Sequence, residues 1–584
     1  MTEKQKEIVN CDKAHIIVKA CPGSGKTYSV TARLAKLISK KKYHHQGIAV
    51  LSFTNNACIE IKDYLEKHCN ISEIGYPHFI GTLDSFINKY IFFPFGHLVM
   101  ECDKRPEIVG TEYNKWYEYD SSKRNYRTRK ISDPDYYFDK VSINIIDHPF
   151  PIVPVQVFHF SWKRNKDGSF RQEIQDILKR KYYYFSQGKA NQADANYLAY
   201  RLLVNYPQIA KNLAKRFPTI IIDEAQDTTE LQMAILDILD ASSLENLMLI
   251  GDPNQAIFEW NTADSSFFMK KYESEDWHKI DLEENRRSSQ NICELLNKFY
   301  NYNMNSVAES EHCTLTPEIL GHDETKKSIT SIKEKFLKKC EDEEGMPAKQ
   351  IAILYRGTRF GEKYFNLAIE NINFDNLPWR NNNYHVRDIV HGKYLIDNGK
   401  LKDGLRLIEK GYLKLKFGIK YVSREYIQEQ IDNNNFRQYR YELFNFIGKL
   451  PDTKGKMLSN WINEAEAVLD QKLDIKQGKG NVLINKLFLE RDSDNDFDYY
   501  LNTIHSVKGS TYDAVLVFLK KSSSTKDYKT ILSKTYNEAD VDKKKRDDEE
   551  IRIVYVACSR PRKLLWIAVY EGEHKTVWEE MLLN

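Results

Sequence analysis

The sequence has little that would indicate a secreted, membrane-bound or metal-binding protein. Its nine cysteines form no Cys-x-x-Cys pair, and no histidines cluster at the spacing of metal ligands. No apolar run reaches the ~18 residues that a transmembrane helix needs, and the N-terminal stretch Met1–Lys4 has no signal-peptide pattern. We therefore expect reduced thiols, a cytoplasmic location and no membrane role.

A global excess of one charge is also missing. The 86 lysines and arginines nearly balance the 83 aspartates and glutamates, which leaves a net charge of +3. This balance excludes nucleic-acid binding through a uniformly basic surface, so any such binding depends on local patches. The length of 584 residues is too great for one core and predicts three or four domains or subdomains.

One stretch, ACPGSGKT at residues 20–27, organises the chain. It follows the apolar run Ile16–Val18 and precedes a helical pattern, which is the arrangement of a phosphate-binding loop. Lys26 would reach the β- and γ-phosphates, and Thr27 would hold Mg²⁺. The turn whose backbone would surround phosphate oxygens consists of Pro22, Gly23, Ser24 and Gly25.

Apolar runs that end in polar residues recur and alternate with helical segments. This alternation of strands and helices predicts a doubly wound α/β core with ligands at the carboxyl ends of its strands. The run Thr219–Ile222 leads directly into Asp223, which could hold Mg²⁺, and Glu224, which could orient or deprotonate an attacking water. Acidic strand ends are common in any protein, but here a phosphate loop accompanies them. Gln255, after the next strand, is placed to sense a γ-phosphate.

Two regions interrupt this alternation of strands and helices, and we expect each to be an inserted subdomain. The first, residues 90–192, has basic stretches with interleaved aromatics at 123–130, 160–164 and 179–184. Such stretches suit a groove that follows a nucleic-acid strand, but each is equally consistent with a solvated face over an aromatic core. The second, residues 361–494, is largely helical and lysine-rich. The charged segment 520–550 is predicted to be a loop.

Nine motifs, in order, resemble those of superfamily 1 helicases of the UvrD/Rep/PcrA type. They are KQKEIV from residue 4, ACPGSGKT from 20, LSFTNNA from 51, GTLDSF from 81, IIIDEAQD from 220, LIGDPNQAIFEW from 249, LEENRRS from 282, TIHSVKG from 503 and IRIVYVACSRPR from 551. The resemblance implies an α/β fold with two RecA-like P-loop core domains, each with a largely helical inserted subdomain. The core domains would be 1–89 with 193–277 (1A) and 278–360 with 495–584 (2A), and the insertions 90–192 (1B) and 361–494 (2B).

The resemblance also implies a role for each matching residue, with ATP and Mg²⁺ as ligands. Thr27 and Asp223 would hold the metal. The catalytic set would be Glu224 as base, Lys26, Gln255 as γ-phosphate sensor, and the arginine fingers Arg287 and Arg560. Gln5 and Arg286 would contact the base. Single-stranded DNA would lie on Phe53, Asn55, Thr82, Phe258, Trp260 and His505.

Three motifs depart from the family pattern. Arg286 stands where the family usually has Tyr, and Phe258 and Asn261 stand where another motif usually has Tyr and Arg. The stretch Gly509–Tyr512 lacks the usual glutamate. Recognition of the base and the sugar is therefore less firmly implied than the phosphate chemistry.

These features predict an ATP-dependent DNA helicase or translocase that moves on single-stranded DNA, with 3′→5′ movement implied by the resemblance. It would serve DNA repair or recombination, or act as the motor of a bacterial anti-phage system such as Gabija, with an OLD-type nuclease as partner. The alternative is a DNA-sensing ATPase that regulates a partner nuclease and unwinds little. Because the sequence ends soon after Arg560, we expect no fused nuclease domain.

Overall fold

The chain divides into two compact units, Met1–Phe360 with Asp498–Asn584, and Gly361–Phe497. The computed structural model describes residues 1–40, 45–69, 71, 74–109, 115–120, 125–130, 180–257, 264–300, 303–308, 315–365, 378–379, 384–418, 422, 427, 430, 435–476, 479–488, 499–523, 526–533 and 541–582. In those residues no helix is both long and apolar enough to cross a membrane.

The strands of the described residues are β1 His15–Ala20, β2 Ile48–Ser52, β3 Phe79–Thr82, β4 Glu107–Ile108, β5 Lys115–Asp120, β6 Asn125–Lys130, β7 Lys189–Ala190, β8 Thr219–Asp223, β9 Asn246–Gly251, β10 His278–Leu282, β11 Glu284–Asn285, β12 Asn305–Ser306, β13 Glu318–His322, β14 Ile351–Tyr355, β15 Tyr500–Thr503, β16 Tyr512–Phe518, β17 Ser522–Ser523, β18 Lys526–Asp527 and β19 Pro561–Tyr570.

The helices are α1 Glu3–Asn10, α2 Lys26–Lys40, α3 Asn55–Cys69, α4 Leu83–Ile87, α5 Phe93–Phe95, α6 His97–Met100, α7 Gln192–Asn205, α8 Pro207–Arg216, α9 Glu230–Ala241, α10 Ser266–Glu273, α11 Gln290–Phe299, α12 Lys326–Lys338, α13 Thr358–Phe365, α14 Tyr384–Asp397, α15 Leu401–Phe417, α16 Phe436–Lys449, α17 Leu458–Leu469, α18 Ile484–Phe488, α19 Tyr528–Ser533, α20 Val541–Cys558 and α21 Glu573–Leu582.

The first sheet has the order β10-β1-β9-β8-β2-β3, and its strands are parallel. Alternate residues of each strand face opposite sides, so Ile17 packs in one core while Ile16 and Val18 pack in the other. Both faces are covered by helices, which explains why the central strands β2 and β8 are buried along their whole length. The carboxyl ends of β1 and β8 therefore lie at the same edge of the sheet, where the phosphate loop follows β1 and Asp223 ends β8.

One strand belongs to a different sheet from the one that the sequence suggests. β10, expected to open the second core domain at residue 278, pairs with β1 from Ile16 opposite His278 to Ala20 opposite Leu282. Its buried positions alternate with exposed ones, as at a sheet edge, and this pattern does not tell which sheet the strand joins. The first sheet thus extends beyond the expected border at 277.

The second sheet has the order β13-β19-β16-β14-β15 and is also parallel. The segment 520–550, expected to be a loop, contains α19 and the start of α20. Buried Glu550 accepts two bonds of 2.8 Å from Arg356 and one of 2.6 Å from the Tyr528 hydroxyl. These bonds fix the charged helix to the sheet, a tertiary effect that charge patterning does not reveal.

The first insertion packs against the first core domain in its described part. Phe92, Met100 and Phe185 form a core with Leu198 of α7. Residues 180–186 are helical, and β5 and β6 form an antiparallel hairpin. Of the basic stretches, 160–164 lies outside the described residues.

The unit Gly361–Phe497 is built on the close crossing of α14 and α15. A Cβ on Gly404 would lie 2.6 Å from the Gly392 carbonyl oxygen and 2.6 Å from a side-chain carbon of Ile396. Trp461 fills the core beside them and donates a 2.9 Å bond to the Pro451 carbonyl.

We expect Gly404→Ala to destabilise this unit by about 1–3 kcal/mol because its methyl group meets backbone atoms at the crossing. The matched control is Gly448→Ala in α16, where an added Cβ meets nothing within 4 Å. That change should stabilise by up to about 1 kcal/mol through helix propensity. Urea denaturation followed by fluorescence measures both, and equal effects would contradict the close crossing.

Candidate functional site

The phosphate loop joins β1 to α2 through two glycines in the left-handed region, Gly23 at φ 69° and Gly25 at φ 78°. Residues other than glycine rarely adopt this conformation. There is also no room for a side chain, since a Cβ on Gly23 would lie 2.5 Å from Asn285 Oδ1 and one on Gly25 would lie 2.8 Å from Gln5 Nε2. The loop therefore depends on glycine at both positions.

Gln5 connects the first helix to this loop. Its Oε1 accepts a 3.0 Å bond from the Thr2 backbone N–H in a capping box, and its Nε2 donates a 3.0 Å bond to the Ser24 carbonyl. The side chain is buried. A contact between Gln5 and adenine stays a prediction, and it would use the remaining amide proton and lone pair.

A cavity of about 610 Å³ brings together most of the residues that the sequence predicts for the nucleotide. It is lined by Met1, Gln5, Gly23, Ser24, Gly25, Lys26, Thr27, Tyr28, Glu60, Tyr64, Glu224, Gln255, Arg286, Arg287, Gly509, Thr511, Arg560 and Arg562. Both sheets contribute to it. Pro22 and Asp223 are buried beside the cavity.

Lys26 lies among carboxylates at the base of the cavity, with its Nζ 3.9 Å from Glu224 Oε1. Burial alone would lower the pKa of this lysine, but Glu224, Asp252 and Asp223 together raise it. Lys26 is therefore a fixed cation at the loop, as phosphate binding requires.

Asp223 and Glu224 are adjacent carboxyl groups with opposite electrostatic settings. Burial and the neighbouring Glu224 raise the pKa of Asp223. Burial also opposes the charge of Glu224, but Lys26, Lys508 and other donors outweigh it and hold its pKa below the usual range. Glu224 has a left-handed backbone (φ 57°), and its Oε2 accepts a 2.6 Å bond from Gln226 Nε2. Its carboxylate is thus held in one orientation.

The residues fit a divalent cation in part of the cavity. Mg²⁺ commonly takes one or two protein oxygens, with waters and substrate phosphates completing its shell. The Thr27 hydroxyl and the Asp223 carboxyl supply such oxygens, and a cation there would offset the burial that raises the pKa of Asp223. Within the described ranges no group of three or more His, Cys, Asp or Glu could hold a metal by itself.

Two arginines approach the loop: Arg560 is buried and Arg287 is half-buried. Arg560 Nη2 donates a 2.7 Å bond to Gln255 Oε1, and Nε donates a 2.8 Å bond to the Val556 carbonyl. Arg287 Nη1 donates a 3.1 Å bond to the Ser559 carbonyl. Burial, reinforced by the charge of Arg287, lowers the pKa of Arg560 to about 9. An anion between the two guanidinium groups would relieve this unfavourable arrangement.

The segment Gln255–Ala256 is held by three side chains from the helix and loops beside the second sheet. Arg560 bonds to the Gln255 side chain, Lys508 Nζ donates to the Gln255 carbonyl at 2.9 Å, and Arg552 Nε donates to the Ala256 carbonyl at 2.9 Å. Lys508 also bonds to buried Asp227 at 2.5 Å. The motif pattern did not indicate these contacts of Lys508, Arg552 and Asp227, although all three residues lie within motifs.

The residues expected to touch DNA occupy strand ends and the turns after them. Phe53 and His505 are half-buried, and Asn55 is exposed at the start of α3. The Thr82 hydroxyl accepts a 3.1 Å bond from the Ser85 backbone N–H and thereby caps α4. Phe258 and Trp260 lie outside the described residues.

The two parallel sheets and the phosphate loop define a mixed α/β nucleotide-binding protein, consistent with two RecA-like domains. Residues 1–276 match the UvrD/REP helicase N-terminal domain. The chain is 27% identical to the ATP-dependent DNA helicase Rep of Buchnera aphidicola (Schizaphis graminum) over 60% of its length and 52% of that protein. It is 22% identical to the probable DNA helicase II homolog of Mycoplasma genitalium over 100% of its length and 87% of that protein.

The chain is also 24% identical to DNA helicase II of Escherichia coli, over 51% of its length and 40% of that protein. It spans about half the length of most of the curated relatives that it matches. The family match and the relatives support a superfamily 1, UvrD-like helicase.

We expect Lys508→Met to destabilise the chain by about 3–5 kcal/mol because Asp227 would remain buried without this cation. The double variant Lys508→Met/Asp227→Asn should recover much of that loss, since no charge is then left unpaired. Lys416→Ala, which breaks an exposed 2.7 Å pair with Glu442, should cost at most about 1 kcal/mol. Urea denaturation followed by circular dichroism measures all three. Equal costs for the two lysines would contradict the buried pair.

Proposed function

We propose that the protein is an ATP-dependent DNA helicase or translocase that moves 3′→5′ on single-stranded DNA. The observation that carries this proposal is the cavity itself, where the phosphate loop of one sheet faces Arg560 from the other. A site built from two domains changes when they separate, which couples nucleotide turnover to movement. The UvrD-like relatives support the DNA substrate.

Hydrolysis of ATP would use groups that the cavity already positions. The backbone of Gly23–Gly25 and the Lys26 ammonium would bind the phosphates. Thr27 and Asp223 would hold Mg²⁺, which neutralises phosphate charge when bound. The Glu224 carboxylate, kept ionised by the surrounding cations, would accept a proton from the attacking water.

The arginines would stabilise the charge that develops on the transferred phosphoryl group. Arg560 is buried and Arg287 lies half-buried near it, so water screens their charges only weakly. Gln255 bonds to both Arg560 and Asp252, at 2.7 and 2.8 Å, and would relay the state of the γ-phosphate to the second sheet.

The DNA strand would lie along the strand ends that carry Phe53, Asn55, Thr82 and His505, with Phe258 and Trp260 as stacking groups. The biological role would be repair or recombination, or a phage-defence system in which an OLD-type nuclease is the partner.

A second candidate is a DNA-sensing ATPase that regulates such a nuclease and unwinds little. It is favoured by the bonds that Lys508, Arg552 and Arg560 make to the segment Gln255–Ala256, because a motor whose two domains separate would break them in every cycle. The two candidates share the nucleotide site and differ in whether the cycle displaces a strand.

Lys26→Ala should lower ATP turnover by about 100-fold or more, since it removes the loop's cation from the phosphates. The control is Lys36→Ala on the same helix, whose ammonium bonds to Asn10 at the surface. Phosphate release with and without single-stranded DNA measures both. Turnover retained by Lys26→Ala would contradict the assignment of the site.

Strand displacement separates the motor from the sensor. The motor should unwind a duplex with a 3′ single-stranded tail and leave one with a 5′ tail intact, with ATP consumed in proportion. Fluorescence of a labelled, released strand measures this. DNA-stimulated turnover without displacement of either duplex would exclude the motor and leave the sensor.

A further inference from the structure

Helix α16 (Phe436–Lys449), in the unit Gly361–Phe497, exposes three aromatic side chains. Phe436, Tyr441 and Phe444 are 55, 69 and 54% exposed. Such exposure is unusual for side chains of this size, because each ring costs free energy when it contacts water. The same helix buries Tyr439, Leu443 and Phe446.

Helical spacing places the exposed rings and two arginines together. With 3.6 residues per turn, residues 436, 440 and 444 form one line, and residues 437, 441 and 448 form the line beside it. We call Phe436, Arg437, Arg440, Tyr441 and Phe444 the aromatic–arginine face. Its rings span about 12 Å along the helix axis.

The charges of this face are positive. Arg440 lies with its guanidinium carbon 5.4 Å from the centre of the Phe436 ring and bonds to Glu409 at 3.2 Å, yet its side chain is 37% exposed. Glu442, the single acid in the sequence of the helix, is held by Lys416 at 2.7 Å and by Gln438 at 3.1 Å. It lies on a different side of the helix from the exposed rings.

The face also has room beside its rings. Gly448 follows Phe444 by one turn, and a Cβ at that position would meet nothing within 4 Å. A planar group could therefore approach the rings of Tyr441 and Phe444 from this side.

We propose that the aromatic–arginine face binds single-stranded DNA, with bases stacked on the rings and phosphates beside Arg437 and Arg440. Rings stack on bases of any sequence, and guanidinium groups suit phosphate oxygens. An apolar protein surface would cover the rings but leave the exposed Arg437 without a counter-charge, whereas Arg440 already has Glu409. The proposal goes beyond the proposed function, since none of the helicase-like motifs lies in this unit.

The first test is DNA binding by the triple variant Phe436→Ala/Tyr441→Ala/Phe444→Ala in the full chain. Its affinity for a labelled oligothymidylate of about 30 nucleotides, measured by fluorescence anisotropy, should fall at least about fivefold. Val468→Ala, another exposed apolar residue of the same unit, should leave the affinity unchanged. Turnover of ATP without DNA should match the unchanged protein, which confirms that the variants fold.

Salt dependence tests the charged part of the face. Arg437→Gln should reduce the slope of log affinity against log salt concentration by about 0.7, the value for one phosphate contact on a single strand. Tyr441→Phe should keep the affinity that Tyr441→Ala loses, because stacking needs the ring and not the hydroxyl.

Photocrosslinking with an oligonucleotide that carries 5-iodo-deoxyuridine locates the contact directly. The proposal expects crosslinks in the tryptic peptide 441–449, which contains Tyr441 and Phe444. Crosslinks confined to other peptides, or an unchanged affinity of the triple variant, would overturn it. So would a loss of self-association in sedimentation without any change in DNA affinity, which would make the face an interface between copies. Failure of the ATPase proposal is distinguishable, because it shows in Lys26→Ala and leaves the crosslink unaffected.

Discussion

The cavity depends on balancing buried charges that come from two sheets. The first sheet supplies Lys26 and a group of carboxyls, while the second supplies Arg560 and Lys508. Each buried ion is tolerable only with its counter-charge in place. Burial raises the pKa of Asp227 to about 6 even with Lys508 beside it, which shows how strongly the carboxyl depends on that cation. The packing of the two sheets against each other and the ionisation of the residues in the site therefore depend on each other.

The same balance explains why a phosphate chain suits this position. Burial and the charge of Arg287 lower the pKa of Arg560, and burial lowers the pKa of Arg287 despite the nearby carboxyl of Glu60. A polyphosphate would add negative charge where the guanidinium groups converge, without disturbing the bonds of Lys508 or Arg552 to the main chain. Binding of the polyphosphate and packing of the two sheets against each other would then stabilise each other.

Residues placed by local structure could be predicted from the sequence. Lys26, Asp223 and Gln255 follow apolar strands of one parallel sheet, and the carboxyl ends of such strands necessarily meet at one edge. Other contacts could not be predicted, because each depends on how separate elements pack together. They are the contacts of Lys508 with Asp227, of Arg552 with Ala256 and of Glu550 with Arg356. The membership of β10 in the first sheet could not be predicted either, since an edge strand with alternating burial fits either sheet.

The pairing of β10 with the first sheet determines how Arg287 and Arg560 are connected to the phosphate loop. Because β10 pairs with β1, the chain reaches Arg287 from the first sheet, and the Arg286 backbone N–H donates a 2.9 Å bond to the Gly23 carbonyl. Arg287 is thus tied to the loop by the main chain next to it, whereas Arg560 reaches the cavity from the second sheet at the start of β19. A separation of the sheets would withdraw Arg560 from Gln255 and break the bond of Arg287 to Ser559, but the Arg286–Gly23 bond would remain. Of the two guanidinium groups, Arg560 is therefore the one whose distance from the loop reports the opening of the cleft.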